Sequence, residues 1–465
     1  MTESRRRDAW NLAIATAIVA GAVIRFATLS VQSFWLDEAV THGLVTRSFG
    51  SMLSAIPHSE STPPLYYVLA WVWVRLFGAD AAGIRSLSAL FGTATIVVLM
   101  LIVRRLAGSR AALAAAALAA TSPLLIWYSQ EARAYGLLVL LCAVTLWCLL
   151  REDWRGWAIA AALALATHYF AVFIVVPEVA WLLVRRRRSR AVVWALIAVG
   201  AVAIALSPLA IEQAGQNRAK FITAQSLGHR ILAVPKQLLI GYATPHATIL
   251  TVIAVILAAG LALFIRRTDR AYVALVAIAA GVPILLAVFG ADYVITRNLI
   301  AAMVPLVVLA AVASARTRAG PLLVAGLCAV GVIAFAGVEG NALYQRDDWR
   351  DVAKALGAPL AKPRVVVINP SDGGPALGLY MRLRPIPNTI AAYSSREIEV
   401  VDLTHNPPAP NPIAIADYTA CSRPELTAVF VIVRYCETTP RSPLPYVNYE
   451  NLTLAGRPPA ILAAP

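Results

Sequence analysis

The chain has 465 residues, of which 59% are hydrophobic and only 14% are charged, and its mean hydropathy is +0.70. These values lie outside the range of water-soluble globular domains and predict a polytopic membrane protein. The net charge of +15 does not indicate a nucleic-acid partner, because the arginines fall in short clusters between apolar segments rather than on one polar face.

Clusters of arginine separate the apolar segments and predict the topology. By the positive-inside rule, these clusters lie in the cytoplasm. We therefore expect a multi-pass protein of the cell (plasma) membrane, with its N-terminus in the cytoplasm and its C-terminus outside. The clusters are "RRR" from Arg5, "RRLAGSR" from Arg104, "REDWR" from Arg151, "RRRRSR" from Arg185, "RRTDR" from Arg266 and "ARTR" from Ala315.

The apolar segments predict about eleven membrane crossings. Segment 157–184 has arginine clusters at both ends, so we expect it to break at "THYF" and to place His168 on the outer side. The shorter run from Thr62 to Gly78 is expected to re-enter or to lie in the outer leaflet. A full crossing would place every later arginine cluster on the opposite side of the membrane. The predicted segments are roughly 10–30, 85–103, 111–128, 135–150, 157–184, 191–209, 246–265, 271–289, 298–314 and 320–337.

With this topology, the unusual polar motifs all face the outside of the membrane. No polar motif of similar character faces the cytoplasm, so we expect a one-sided extracytoplasmic site. The motifs are "SFWLDEAV" from Ser33, "ESTPP" from Glu60, "YSQEARAY" from Tyr128, "THYF" from Thr167, a loop from Ile211 to Pro245, and "DYVITRN" from Asp292.

From Glu339 onwards the composition becomes mixed and polar, which predicts a small extracytoplasmic α/β domain. "DDWRDVAKAL" is typical of a helix, "RVVVINP" and "AVFVIVRY" are typical of buried strands, and "SDGGPALGLYMR" indicates a turn followed by a helix. We therefore divide the chain into a transmembrane domain, 1–338, and an extracytoplasmic domain, 339–465. Cys421 and Cys436 are either disulfide-bonded, as an oxidising compartment favours, or free.

Acidic residues on the expected outer side are candidates for catalysis. Asp37 and Glu38 directly follow the apolar stretch "FWL", and this setting favours a general base over an ordinary solvated loop residue. Glu60 comes just before the proline pair of "STPP", and Glu131 lies in "YSQEARAY" at an outer helix start.

Basic residues on the expected outer side oppose the topology rule and therefore indicate an anionic ligand. A phosphate group close to the membrane surface is the simplest candidate for this ligand, because a guanidinium group binds phosphate with two hydrogen bonds. For Lys220 and Lys236, contact with lipid head groups is an equal alternative. The outer cations are Arg133, Lys220, Arg230, Lys236 and Arg297.

His168 is either a satisfied core histidine or a functional group at a helix break, and the sequence leaves both readings open. The sequence contains no zinc spacing of Cys and His, no glycine-rich phosphate loop with a lysine, and no serine nucleophile elbow. Hydrolase and nucleotide-dependent activities therefore lose support.

Taken in order, the motifs resemble the GT-C superfamily of polyprenyl-phosphate-dependent glycosyltransferases, and most of all the bacterial branch related to protein O-mannosyltransferases and lipid A aminoarabinose transferases. The resemblance runs through most of residues 10–350. It implies a mainly α, GT-C-type helix bundle that transfers a hexosyl or pentosyl group from a lipid-linked phosphate, with inversion, to an extracytoplasmic glycan, lipid or protein. The motifs are "FWLDEAV", "TPPLYYVL", "YSQEARAYGLLVL", "THYFAVF", "YVITRNLIAAMVPL" and "DDWRDVAKAL".

The resemblance also implies roles for single residues. The acid after the first helix is the catalytic base in this superfamily, and the matching position is Asp37, with Glu38 beside it. Relatives often carry Asp near the position of Tyr135, where this chain has Glu131 and Tyr135. No cofactor is required, although a divalent cation held by Asp37, Glu38 and Glu60 is an open alternative. The residues expected to bind the donor phosphate or the substrate are Glu60, Glu131, Arg133, Tyr135, His168, Tyr169, Lys220 and Arg297.

Two other classes of protein stay open. A transporter or flippase of lipid-linked sugar would place its intramembrane charges along a path, but the sequence shows no clear internal repeat of the kind common in transporters. A non-catalytic relative that binds the same lipid would not need Asp37. In all three cases membrane lipids are expected partners and nucleic acid is not.

Overall fold

The computed structural model describes residues 3–186, 189–216, 218–357, 364–403, 417–438, 443–450, 452 and 459–464. Up to Glu339 the described chain is helical. Its helices are α1 (Glu3–Phe26), α2 (Leu36–Val45), α3 (Phe49–Ser59), α4 (Leu65–Phe77), α5 (Ala81–Thr121), α6 (Pro123–Ser129), α7 (Tyr135–Leu150), α8 (Trp154–Thr167), α9 (Val172–Arg186), α10 (Arg190–Gly215), α11 (Leu227–Ile240), α12 (Ala247–Ala262), α13 (Arg270–Val288), α14 (Met303–Ser314) and α15 (Gly320–Glu339). Short 3₁₀ turns occupy Tyr169–Ala171, Arg218–Ala224, Arg267–Asp269, Thr296–Ala302 and Ala342–Tyr344.

The predicted class, a bundle of apolar helices, is confirmed. Within the described part of the chain, six helices are long and apolar enough to cross a membrane, and three shorter apolar helices accompany them. One of the short ones is α4, whose 13 residues extend about 20 Å at 1.5 Å per residue, less than the roughly 30 Å of a bilayer core. The number of crossings therefore stays a prediction.

The two predicted segments 85–103 and 111–128 correspond largely to the two helical stretches of α5, which are separated by a kink. Its 41 residues are interrupted only at Gly108, which has φ of +79° and is not helical. Glycine adopts this angle without the strain that a Cβ would cause. The arginine cluster from Arg104 to Arg110 therefore spans the break between two helical stretches that meet at Gly108.

The break predicted at "THYF" is confirmed, because α8 ends at Thr167 and α9 begins at Val172. The prediction of a loop from Ile211 to Pro245 was wrong. Helix α10 continues to Gly215, and α11 occupies much of the remainder. The apolar residues of "LGHRILAVPKQLLI" recur at helical spacing, and the described helix runs through its internal Pro235.

The remaining elements form a small α/β region, as predicted. The elements are α16 (Trp349–Leu356), β1 (Arg364–Asn369), α17 (Gly373–Leu377), β2 (Arg384–Pro385), β3 (Ala392–Tyr393), β4 (Glu397–Leu403), β5 (Tyr418–Ala420), β6 (Glu425–Leu426), β7 (Phe430–Glu437), β8 (Leu444–Pro445), α18 (Tyr446–Glu450) and β9 (Ala460–Ala464). The strand order is β2-β9-β1-β4-β7-β5, and β6 also pairs with β7. Strands β3 and β8 form a separate pair. Strands β1 and β4 are parallel, and the other pairs are antiparallel. A disulfide joins Cys421 to Cys436.

The sheet is covered on both faces. Val366 and Ile368 of β1 belong to one apolar cluster, and the alternate residues Val365 and Val367 belong to another. Successive side chains of a strand point to opposite faces, so the two clusters lie on the two sides of the sheet. Inside the sheet, the buried side chains of Arg364 and Glu399 form an ion pair at 3.3 Å.

By internal contacts the chain divides into two compact units. The helical unit contains Met1–Leu29 and Leu44–Val338, and the C-terminal unit contains Ser30–Gly43 together with Glu339–Pro465. The segment that carries Asp37 and Glu38 therefore packs with the residues after α15. The expected division at residue 338 into a catalytic and an extracytoplasmic domain concerns activity and location, and it stays a prediction.

Candidate active site

The acid pair lies in the first turn of α2, in the C-terminal unit. Helix α2 begins at Leu36, so Asp37 and Glu38 are near its N-terminus, where the helix dipole favours negative charge. Glu38 is completely buried, whereas Asp37 is partly exposed. One turn further on, burial lowers the pKa of His42. Burial therefore disfavours the charged form of this histidine.

In the helical unit, Glu60 and Arg133 form a two-pronged ion pair. Arg133 Nη1 donates to Glu60 Oε1 at 2.9 Å, and Nη2 lies 2.9 Å from Oε2. The side chains are only 2% (Glu60) and 11% (Arg133) exposed. Tyr67 lies beside the pair, with its ring centroid 6.0 Å from the guanidinium carbon and its hydroxyl 3.1 Å from Thr62 Oγ1. Arg133 thus balances the charge of Glu60 in this structure.

The motif "YSQEARAY" is a tight turn between α6 and α7. Gln130 Nε2 fastens the turn to the end of α1, where it donates to Thr28 Oγ1 at 2.7 Å and to the Ile24 carbonyl at 3.0 Å. Glu131 is completely buried, and its carbonyl accepts from the Arg133 N–H at 2.8 Å. The turn is therefore held rigidly by its own backbone and by α1.

His168 lies at the break between α8 and α9 and contacts the start of α7. Its Nδ1 accepts from the Phe170 N–H at 3.2 Å, and its ring centroid is 5.4 Å from that of Tyr135. The next residue, Tyr169, donates from its hydroxyl to Gln213 Oε1 at 2.7 Å. The Nε2 of Gln213 in turn donates to the Thr62 carbonyl at 3.2 Å. Two predicted site motifs are thereby linked through α10.

The other predicted cations have distinct environments. Arg297, in the turn Thr296–Ala302, is partly exposed and lies over the Phe221 ring at 5.4 Å. That turn packs against α7 and against the turn Tyr169–Ala171. Arg230 instead binds Asp292, with Nη1 2.8 Å from Oδ1. The side chain of Lys220 falls outside the described residues.

The structure therefore groups part of the predicted set. Glu60 with Arg133, Tyr135 with His168, and Tyr169 with the Thr62 region are brought together within the helical unit. Among the described residues, no group of three His, Cys, Asp or Glu side chains is arranged to hold a metal ion, and the suggested cation site stays a prediction.

Sequence reasoning missed several buried charged residues of the helical unit, and two of them make well-defined hydrogen bonds inside it. Arg25 is fully buried, and it donates to Ser129 Oγ at 3.0 Å and to the carbonyls of Gly21, Ala119 and Ala120 at 2.8–3.1 Å. The second is Glu178, which accepts from Trp157 Nε1 at 2.9 Å and lies 3.1 Å from Thr145 Oγ1. The available signal was a charged residue inside an otherwise apolar segment, which is costly in a membrane and usually has a purpose.

Comparison with known proteins agrees with this architecture. Residues 61–211 match the model of the family described as dolichyl-phosphate-mannose-protein mannosyltransferase, which covers about a third of the chain. The apo crystal structure of ArnT from Cupriavidus metallidurans superposes with a TM-score of 0.57 at 13% identity, over 92% of this chain and 98% of ArnT. The chain has the ArnT fold. The resemblance to the GT-C superfamily is thus confirmed for the fold and for a multi-span membrane protein.

Other comparisons add context. The structure of the same ArnT bound to undecaprenyl phosphate superposes with a TM-score of 0.53 at 14% identity, over 91% of this chain and 97% of ArnT. An oligosaccharyltransferase from Archaeoglobus fulgidus, in the apo form, gives a TM-score of 0.46 at 12% identity, over 79% of this chain and 63% of that protein. No curated protein matches the sequence significantly.

Proposed function

We propose that this protein is an integral membrane glycosyltransferase that moves a sugar from a polyprenyl-phosphate donor to an extracytoplasmic glycan, lipid or protein, with inversion at the anomeric carbon. The observation that carries the proposal is the match of residues 61–211 to a family of lipid-phosphate-dependent mannosyltransferases, in a chain with the ArnT fold. The ArnT structure with undecaprenyl phosphate supports a donor of that class. The proposed orientation has a cytoplasmic N-terminus and an extracytoplasmic C-terminal region.

Asp37 is the proposed general base. An acceptor hydroxyl has a pKa far above neutrality, so a base must take its proton during attack. Glu38 is completely buried, whereas Asp37 is partly exposed and can be reached by an acceptor. We therefore assign proton removal to Asp37 and give Glu38 a supporting role beside it.

Arg297 is the proposed main contact of the donor phosphate. The departing polyprenyl phosphate is anionic, and positive groups that hold it stabilise the charge that develops on the leaving oxygen. Arg297 is partly exposed and lies in a turn beside α7 and the Tyr169–Ala171 turn. Arg133 already binds Glu60 through both terminal nitrogens, so we assign this pair to sugar hydroxyl recognition. Lys220 stays a proposed phosphate contact, and Glu131, Tyr135, His168 and Tyr169 are proposed substrate contacts.

The test is transfer of radiolabelled sugar from a panel of polyprenyl-phosphate sugars, in membranes that contain the wild type, Asp37→Asn or Glu38→Gln. The matched control is Asp351→Asn, which neutralises an exposed acid that pairs with Lys354 on α16. We expect Asp37→Asn to lose at least about 100-fold in transfer rate, the lower end of the range for loss of a general base. Glu38→Gln should lose less, and the control should retain full activity.

Each outcome decides one part of the proposal. If Asp37→Asn is inserted correctly and transfers normally, the base is another acid, and Glu38→Gln shows whether it is Glu38. If Arg297→Gln leaves both kcat and the KM for the donor unchanged, Arg297 does not bind the phosphate. A wild-type protein that transfers no sugar from any donor, with cell-envelope extract supplied as acceptor, contradicts the enzymatic assignment.

A further inference from the structure

The segment Ser30–Gly43, which carries both candidate catalytic acids, is bound to the chain that follows α15. Gln32 makes the first set of contacts. Its Nε2 donates to Glu339 Oε1 at 3.1 Å, and its Oε1 accepts from the backbone N–H and from Nη1 of Arg346 at 3.2 and 3.1 Å. Gln32 and Arg346 are both buried, so these hydrogen bonds replace contacts with water and hold a single arrangement.

The next two residues bind the motif "DDWRDVAKAL" and the chain after α17. Ser33 Oγ accepts from the Trp349 N–H at 3.1 Å and lies 3.0 Å from the Asp347 carbonyl. The Phe34 N–H donates to Tyr380 Oη at 2.7 Å. Arg350 Nη2 donates to the carbonyls of Ser30 and Val31 at 3.2 Å each. With the contacts of Gln32, five successive residues that lead into α2, from Ser30 to Phe34, are thereby held by hydrogen bonds.

Apolar packing fixes the helix itself. Ala39, two residues after Asp37, is 4% exposed and belongs to the cluster that contains Trp349, Phe430 and Val366. The Trp349 ring is packed so closely on the chain that a Cβ at Gly373 would lie 2.2 Å from it. Since Ala39 faces this cluster, the direction in which Asp37 projects from α2 depends on the surface beneath it.

We propose that the C-terminal unit positions the catalytic acid, and that Ser33 and Tyr380 are positioning residues for Asp37. This inference rests on the proposed function. The nine residues between α1 and α2 form no helix, and a catalytic group has to be held within about 0.5 Å of its productive place. The hydrogen bonds of Gln32, Ser33 and Phe34 supply that constraint from residues more than 300 positions away in the sequence.

Tyr380→Phe is the sharpest test, because it removes only the hydroxyl that accepts from Phe34. A displacement near 1 Å can lower a rate up to about 100-fold, and we expect kcat for sugar transfer to fall about tenfold, with the KM for the polyprenyl-phosphate sugar unchanged. Ser33→Ala should act in the same direction. The matched control is Tyr449→Phe, which removes a hydroxyl that contacts Ser395 Oγ and the Tyr393 carbonyl at 3.0 Å on the other face of the sheet. It should lower the unfolding midpoint comparably and leave kcat unchanged.

Amide hydrogen exchange of the full-length protein supplies a readout that does not need catalysis. Tyr380→Phe should speed exchange between Phe34 and Ala39, and Tyr449→Phe should not. Unchanged kcat together with unchanged exchange in Tyr380→Phe overturns the inference, as does an equal fall of kcat in both tyrosine variants. A wild-type protein that transfers no sugar refutes the proposed function instead, and the exchange result then still decides whether Tyr380 anchors α2.

Discussion

Gly92→Ala is expected to destabilise the helical unit, because there is no room for a Cβ at this position of α5. An ideal Cβ would lie 1.9 Å from Ser129 Oγ and 3.1 Å from Arg25 Nε. Ser129 Oγ accepts a hydrogen bond from Arg25 Nε at 3.0 Å and also contacts the Leu125 carbonyl. Relief of the clash therefore requires Ser129 to move away from the buried guanidinium.

The magnitude follows from three contributions. Overpacking of a buried site costs about 1–3 kcal/mol. Loss of a hydrogen bond from a charged group costs about 1.5–3 kcal/mol, while the higher helix propensity of alanine returns about 1 kcal/mol. The free energy of unfolding should therefore fall by about 1.5–5 kcal/mol.

The assay is thermal unfolding of the purified protein in detergent, followed by tryptophan fluorescence. The matched control is Gly200→Ala in α10, where a Cβ would meet nothing within 4 Å. We expect the control to unfold at the wild-type temperature or slightly above it, because only the gain in helix propensity remains. If both variants unfold at the same temperature, the close packing of α5 on Ser129 and Arg25 is wrong.

Two further predictions concern other buried charges. Glu178→Ala should lower the free energy of unfolding by about 2–5 kcal/mol, since the Trp157 N–H loses its acceptor and a cavity forms. Glu178→Gln keeps an acceptor oxygen, so its free energy of unfolding should fall by less than about 1 kcal/mol. Equal losses of stability for the two variants in thermal unfolding would contradict this account. Hydrogen bonds from Arg230 hold the pKa of Asp292 below the ordinary 3.8. The pair therefore contributes stability above that value and loses it as the pH falls towards the lowered pKa. The unfolding midpoint should accordingly drop more steeply below about pH 4 in the wild type than in Asp292→Asn, and parallel curves would speak against the ion pair.

Much of the local structure followed from the sequence. Long apolar runs predict membrane helices wherever they occur, because backbone polar groups in lipid have to be satisfied within the same segment. The helix break at His168 was predictable because the arginine clusters on both sides could not lie on opposite faces of the membrane. The buried strand Arg364–Asn369 was recognisable as a short apolar run rich in valine.

The partners of the polar residues were not predictable in this way. Glu60 and Arg133 were assigned separate tasks from sequence, yet they bind one another across 73 positions of the chain. Arg25 was missed altogether because its acceptors are mostly backbone carbonyls. Every residue has such a group, so the sequence of α5 does not indicate which residues bind Arg25. Which charge meets which acceptor depends on how the helices pack, and pattern analysis of one segment carries no information on that.

Hydropathy, charge clusters and motif order by themselves determined that this is a multi-span helical protein and which acids and bases stand at helix ends. These properties depend on residues close together in the chain and on the bilayer as solvent. Only the tertiary structure decided that α2 packs with the region after α15, with Gln32 on Arg346 and Ser33 on Trp349. The reason is that these hydrogen bonds join groups more than 300 residues apart, so they exist only once both parts of the chain have folded.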